Sequence, residues 1–156
     1  MTRQPSIAAQ VAKTIRQGLK AKGLDAKVSK RDFNCVNITL KDPSPTDYKE
    51  AHDFCKLHQS GHFCGMTDIY VDNNIIEDML QIEYVFVSAV FSDELKQEAL
   101  DGLSKRYNLG DVTLGTMPRY ITIDEGRPQE HSGDMINRVL NGRTYPLSKF
   151  WEDRAA

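Results

Sequence analysis

Ile7, Val11, Ile15 and Leu19 recur every four residues, with Lys13, Arg16 and Lys20 falling on the opposite side. That spacing predicts an amphipathic helix over residues 6–22, because side chains three and four apart share a helix face. Ser6 suits the N-cap and Gly23 the position just past the end. Gly18 falls near the apolar face, where a missing side chain permits close packing. The period then changes from helical to alternating. Ala26 and Val28 alternate with Lys27 and Ser29, and Val36, Ile38 and Leu40 alternate with Asn37 and Thr39. Alternation predicts two half-buried strands, and Asp32-Phe33-Asn34 between them predicts an antiparallel hairpin.

Asp42-Pro43-Ser44-Pro45-Thr46 breaks the pattern. Thr46 is a candidate cap for a helix over 47–59, whose face carries Tyr48, Ala51 and Cys55, with Phe54 and His58 nearby. Gly61 to Asp68 reads as a glycine-bracketed loop. Ile69–Val71 reads as a short strand, Asp72-Asn73-Asn74 as a turn, and residues 75–80 fit either a helical turn or an extended link. Ile82–Phe91 is apolar on both alternating faces, which predicts a central strand covered on two sides. Ser92 caps a predicted helix over 93–107, with Asp93 and Glu94 in its first turn and Leu95, Ala99, Leu103 and Tyr107 inside. Residues 119–124 read as a strand, and Ser132–Asn141 as a short helix ending at Gly142. Tyr145, Phe150 and Trp151 mark a tail that must dock, most simply on its own domain.

With no internal repeat and no long linker, the order predicts one α+β domain over residues 1–156. Its expected form is a mostly antiparallel sheet with helices packed on it, residues 93–156 forming a helix-strand-helix extension. No apolar run approaches the roughly 18 residues of a membrane span, so no membrane partner is expected. Met1–Ser6 lacks a charged-then-apolar leader pattern. Cys35, Cys55 and Cys64 are odd in number and irregularly spaced, unlike a disulfide framework. Both features predict a cytoplasmic location.

Charge changes the picture more than composition does. Residues 1–41 hold nine Lys/Arg against two Asp/Glu, while residues 68–101 hold nine acids and one lysine. The basic part offers Lys13, Arg16, Lys20, Lys27, Lys30 and Arg31 as candidate phosphate contacts, although no nucleic-acid-binding motif accompanies them. The acidic part offers Asp68, Asp72, Glu77, Asp78 and Glu83, with Tyr70 among them, as a surface for a basic site on another protein. Both also fit ordinary solvated faces, and an acidic strand edge discourages aggregation.

Histidines and cysteines cluster as His52, Cys55, His58, His62 and Cys64. Thiolate and imidazole ligands suit zinc, which is the one cofactor the sequence suggests, but the spacing matches no standard zinc module. A buried cysteine on a helix with exposed histidines fits the same residues. A Cys-His catalytic pair would need an activated thiolate and an oriented base, which proximity in sequence does not supply. Asp124 and Glu125 form a candidate acid pair or an acidic turn. Phosphate-binding loops, dinucleotide-binding glycine patterns and serine nucleophile elbows are absent from the sequence.

Residues Ile7–Ser92 resemble large polyvalent protein-associated domain 29. The most specific stretch is Gly61-His62-Phe63-Cys64-Gly65-Met66-Thr67-Asp68-Ile69-Tyr70, where the family shows a similar Gly-x-Phe-Asp-Gly-Met-x-Asp-x-Tyr run. Tyr84-Val85-Phe86-Val87 and Phe91-Ser92 look similar too. Cys64 stands where the family usually has Asp, and Leu40–Thr46 replaces a Trp-Thr-Asp-Gly-Pro-Thr-like run. The resemblance implies a protein of a phage or conjugative element, and it implies no chemistry. In that setting a non-enzymatic accessory protein is expected, one that binds a host protein such as a defence nuclease or CRISPR effector and blocks it. A nucleic-acid-binding module using the basic helix and hairpin, and a small metal-dependent enzyme at the His/Cys cluster, are the alternatives. Gly65 at a positive φ and Asp68 capping a turn would explain the run structurally.

Overall fold

The computed structural model describes residues 4–123, 129–143 and 147–155. The fold is α+β, in two compact units, Met1–Val90 and Phe91–Ala156. No helix among the described residues is long and apolar enough to cross a membrane.

In the first unit, helix α1 (Ile7–Ala21) is capped by the Ser6 hydroxyl, which accepts from the Ala9 N–H, and Gly23 follows its end at φ 72°. The buried stripe is Ala8, Val11, Ala12, Ile15 and Leu19; Ile7, expected on that face, is more than half exposed. A strict four-residue spacing drifts around a helix of 3.6 residues per turn, so the stripe's first member rotates out. Gly18 meets the Phe54 ring, and an added Cβ would overlap it.

Strands β1 (Ala26–Lys30) and β2 (Cys35–Lys41) form the expected hairpin, with Val28 opposite Ile38. Helix α2 (Pro45–Lys56) starts earlier than expected. Ser44 rather than Thr46 is the cap, accepting from Asp47 N–H at 3.0 Å, because Pro45 fits the first helical position and needs no N–H partner there. Ala51 and Cys55 are buried on its inner face. Residues 61–68 are not wholly loop: β3 (His62–Cys64) pairs antiparallel with β4 (Ile69–Val71).

Strand β5 (Tyr84–Val90) corrects a second expectation. It runs parallel to β2 and lies at an edge of the β1-β2-β5 sheet, which makes β2 the central strand and the sheet mixed. Residues 42–83 supply the crossover that a parallel pair requires. Val85 is buried while Phe86 and Val90 are half exposed, so only one face of β5 is covered. The core of this unit joins α1, α2 and the covered faces of all three strands.

Both edges of this sheet are plugged by side chains. On β1, Arg16 donates to the Val28 carbonyl at 2.9 Å. On β5, Tyr48 Oη donates to the Val87 carbonyl, Lys56 Nζ to the Val85 carbonyl, and the Gln59 amide oxygen accepts from Val85 N–H. These contacts occupy backbone groups that another strand would otherwise recruit.

In the second unit, α3 (Asp93–Tyr107) is capped by Ser92 and ends at Asn108, which takes the left-handed conformation at φ 54°. β6 (Tyr120–Ile121) pairs with β7 (Glu130–His131), a shorter strand than residues 119–124 suggested. Helices α4 (Ser132–Leu140) and α5 (Leu147–Ala155) follow. Leu95, Ala99, Leu100, Leu103, Ile136 and Leu140 are among the buried residues of a separate core, against which Phe150 and Trp151 pack. Tyr145, Asp124 and Glu125 lie outside the described residues.

Candidate functional site

Between α2 and β5 the chain makes a long excursion, and side-chain amides hold it to the sheet. Ile82 N–H donates to the His58 carbonyl at 2.8 Å, and Ser60 N–H donates to the Ile82 carbonyl at 2.9 Å. Gln81 Nε2 donates to the carbonyls of Leu57 and Asn74, while its oxygen accepts from Ile76 N–H. Asn74 Nδ2 donates to the Gln59 carbonyl at 2.9 Å, and Gln59 Nε2 reaches the Gly61 carbonyl. The sequence marked Asn74 only as part of a turn and gave no role to Gln59 or Gln81, since amides in a polar loop carry no periodic signal. Their work is to satisfy backbone groups that no strand or helix pairs.

The β3–β4 hairpin projects from this frame with apolar side chains facing solvent. Met66 is 97% exposed, Ile69 60% and, in the following loop, Ile75 67%; Phe63 is also exposed. By the pairing, Phe63 and Ile69 lie on opposite faces of the hairpin, Met66 sits at its turn and Ile75 in the loop beyond, positions that ordinarily take polar residues when exposed. This apolar surface was missed in the sequence; Met66, between Gly65 and Thr67, is the signal that could have found it. Residues 62–83 carry five acids and no lysine or arginine.

The six residues expected to bind protein all fall on this excursion, with different duties. Asp68 turns the hairpin at φ 55° and Asp78 sits at φ 62°, a backbone region that Asp tolerates better than most residues. Gly65, expected at positive φ, is not there; Asp68 takes that role instead. Asp72 accepts from the Ser60 hydroxyl at 2.8 Å, and Glu83 accepts from Asn34 Nδ2 at 2.8 Å. Tyr70 donates to the Glu83 carbonyl at 2.6 Å and meets the Tyr84 ring edge-on, which ties the hairpin to β5. Glu77 is exposed. Asp68 and Asp72 therefore shape and anchor the hairpin, and Asp78 the loop after it, as well as charging the segment.

The His/Cys cluster does not assemble. Among the described residues no three His, Cys, Asp or Glu side chains are placed to hold a metal ion. Cys55 is fully buried, and burial pushes its thiol up to about 12. His58 is buried too, but its Nδ1 faces the Leu80 carbonyl at 3.3 Å and its ring meets Phe54 edge-on. His52 stacks on Tyr48 beside Asp53, His62 is exposed on β3, and Cys64 lies near the turn. Hydrogen bonds from the Thr67 side chain, and then from the backbone of Thr67 and Met66, hold the Cys64 thiol below its ordinary value. A helix followed by a strand separates residues that looked adjacent in sequence.

The basic residues divide as well. Lys13, Arg16 and Lys20 are exposed on α1, which packs on one face of the sheet. Lys27 alternates with the buried Val28 and so points from the other face, while Lys30 and Arg31 lie at the end of β1. They form no single patch.

That other face carries the remaining notable feature. Across it, Lys27, Thr39 and Ser88 form one row and Ser29, Asn37 and Phe86 the next, flanked by Tyr84 and Lys41. The Tyr84 and Phe86 rings are nearly parallel, 8° apart with centroids 6.1 Å apart, and Lys56 Nζ is 6.0 Å from the Phe86 ring centre. In the second unit, a groove of about 630 Å³ by α3 and α5 is lined by charges of both signs, including Glu98, Lys105, Asp153 and Arg154.

No family model, curated protein or solved structure matches the chain.

Proposed function

We propose that this chain acts by binding another protein through the β3–β4 hairpin and the loop that follows it. The carrying observation is the solvent-facing apolar set Phe63, Met66, Ile69 and Ile75 within a segment of purely acidic charge. Desolvating the apolar groups supplies affinity, and the acids steer the encounter toward a basic surface. A positively charged nucleic-acid channel is such a surface. The resemblance to proteins of phages and conjugative elements supports the setting: the partner is a host defence complex, a nuclease or CRISPR effector, and occupying its channel blocks it.

The decisive experiment compares the intact chain with two variants, Met66→Asp and Glu77→Lys, in capture from nuclease-treated host lysate and in a nuclease-protection assay with the captured complex. Both residues are exposed, so neither substitution removes a core contact. One partner captured by the parent and lost by both variants, with nuclease activity restored, is the expected result. Equal capture by all three proteins would rule out the hairpin, and capture that disappears on nuclease treatment would replace protein binding with a nucleic-acid bridge.

A further inference from the structure

We propose that the uncovered face of the β1-β2-β5 sheet is a binding platform for single-stranded nucleic acid, separate from the hairpin surface. Two side chains on β5, Tyr84 and Phe86, present nearly parallel rings on that face, and Phe86 is 54% exposed. A nucleobase stacks on an exposed aromatic ring flat against flat, whatever its sequence. Charge selects the same occupant. Lys56 Nζ lies beside the Phe86 ring, Lys27 and Lys41 stand farther along the same face, and every other position that β1, β2 and β5 turn to this side is uncharged. The neighbouring acids are Glu83, which precedes Tyr84 and accepts from Asn34 Nδ2, Asp42, which follows Lys41, and Asp25, whose carbonyl accepts from Lys41 N–H.

The register also gives a direction. Lys27 lies two strands across and two residues along from Phe86, which is about 12 Å at ordinary strand spacing. A backbone running from the rings over Asn37 toward Lys27 and Lys41 moves away from the acidic hairpin, which meets the sheet at Tyr84. Asn37 and Thr39 on the central strand supply hydrogen-bonding groups to the bases along that path. The plugged sheet edges leave the face, rather than strand addition, as the mode of contact. Duplex would fit poorly, because its bases stack on each other and present no free face to Phe86.

The test is fluorescence anisotropy with labelled oligothymidine and oligouridine of about 12 nucleotides, within the usual site size of such grooves. The expected result is binding that weakens as salt rises from about 50 mM to about 200 mM, with a duplex of equal length binding less tightly. Phe86→Ala is expected to weaken binding by roughly 5- to 140-fold, the range for losing one stacked base. Lys27→Glu with Lys41→Glu removes binding. Val90→Ala, an exposed apolar truncation on the same face, leaves it unchanged, as does the hairpin variant Met66→Asp, which separates this site from the protein-binding reading. No binding at low salt, unchanged affinity in Phe86→Ala, an equal loss in Val90→Ala, or equal affinity for duplex would each overturn the proposal. So would loss confined to a Lys13, Arg16 and Lys20 charge reversal, which would move the site to α1.

Discussion

Replacing Gly61 by alanine tests whether the hairpin is held to the frame by backbone packing. Gly61 is buried, and a Cβ there would overlap the Val71 carbonyl oxygen, 2.7 Å from the Val71 carbonyl carbon and 2.8 Å from Asp72 Cα. All three are backbone atoms, so no side chain can swing aside. Carbon atoms settle at about 3.5–4.0 Å, and the hairpin must therefore retreat by roughly 1 Å. The adjoining bond from Asn74 N–H to the Ser60 carbonyl is 2.9 Å, and that retreat takes it beyond hydrogen-bonding range. Overpacking of this kind costs about 1–3 kcal/mol, against about 0.4–1 kcal/mol regained from the stiffer unfolded chain. Gly65→Ala is the matched control: nothing lies within 4 Å of its Cβ and its φ is not positive, so only the stabilising term applies. Amide hydrogen exchange is the assay, because a chain of two units need not unfold in one transition. Exchange at Tyr70, Asn74 and Ile82 is expected to accelerate roughly 3- to 100-fold in Gly61→Ala and not in Gly65→Ala. Equal exchange in the two variants would refute the close approach.

Two further outcomes follow from the same region. Alkylation with iodoacetamide near neutral pH is expected to modify Cys64 first, because its thiolate is favoured by Thr67, whereas burial raises the thiols of Cys35 and Cys55. Mass spectrometry after digestion reads the order, and modification of Cys55 at a similar rate would contradict its burial. Tyr48→Phe removes the hydroxyl that donates to the Val87 carbonyl at 3.1 Å. It should cost about 0.5–1 kcal/mol, seen as faster exchange across β5, with no change if the hydroxyl is merely solvated.

Most of the elements were legible in the residues. The helix caps at Ser6 and Ser92, the β1–β2 hairpin and the helix after Ser92 follow from local signals, because a cap or an alternation is satisfied by neighbours in the chain. Ser44 was missed because Pro45 shifted the helix start by two residues. Burial was less legible. The apolar pattern of Ile82–Phe91 reports what side chains can be buried, not how many faces are covered, and β5 leaves Phe86 and Val90 uncovered. The candidate sites suffered most: His58 and His62 are four residues apart in sequence, yet one packs against Phe54 and the other faces solvent on a strand.

By itself the sequence determined most element types and their order, though not β3, β7 or α5, together with the α+β class and the separation of basic and acidic segments, since each depends on interactions a few residues long. Only the tertiary structure decided that β5 joins β2 in parallel at an edge, that Gly61 presses on Val71, and that Tyr84 and Phe86 share a face with Lys27 and Lys41. Those relations join residues tens of positions apart. They arise from which surfaces best exclude water when the whole unit packs, and no local pattern encodes that choice.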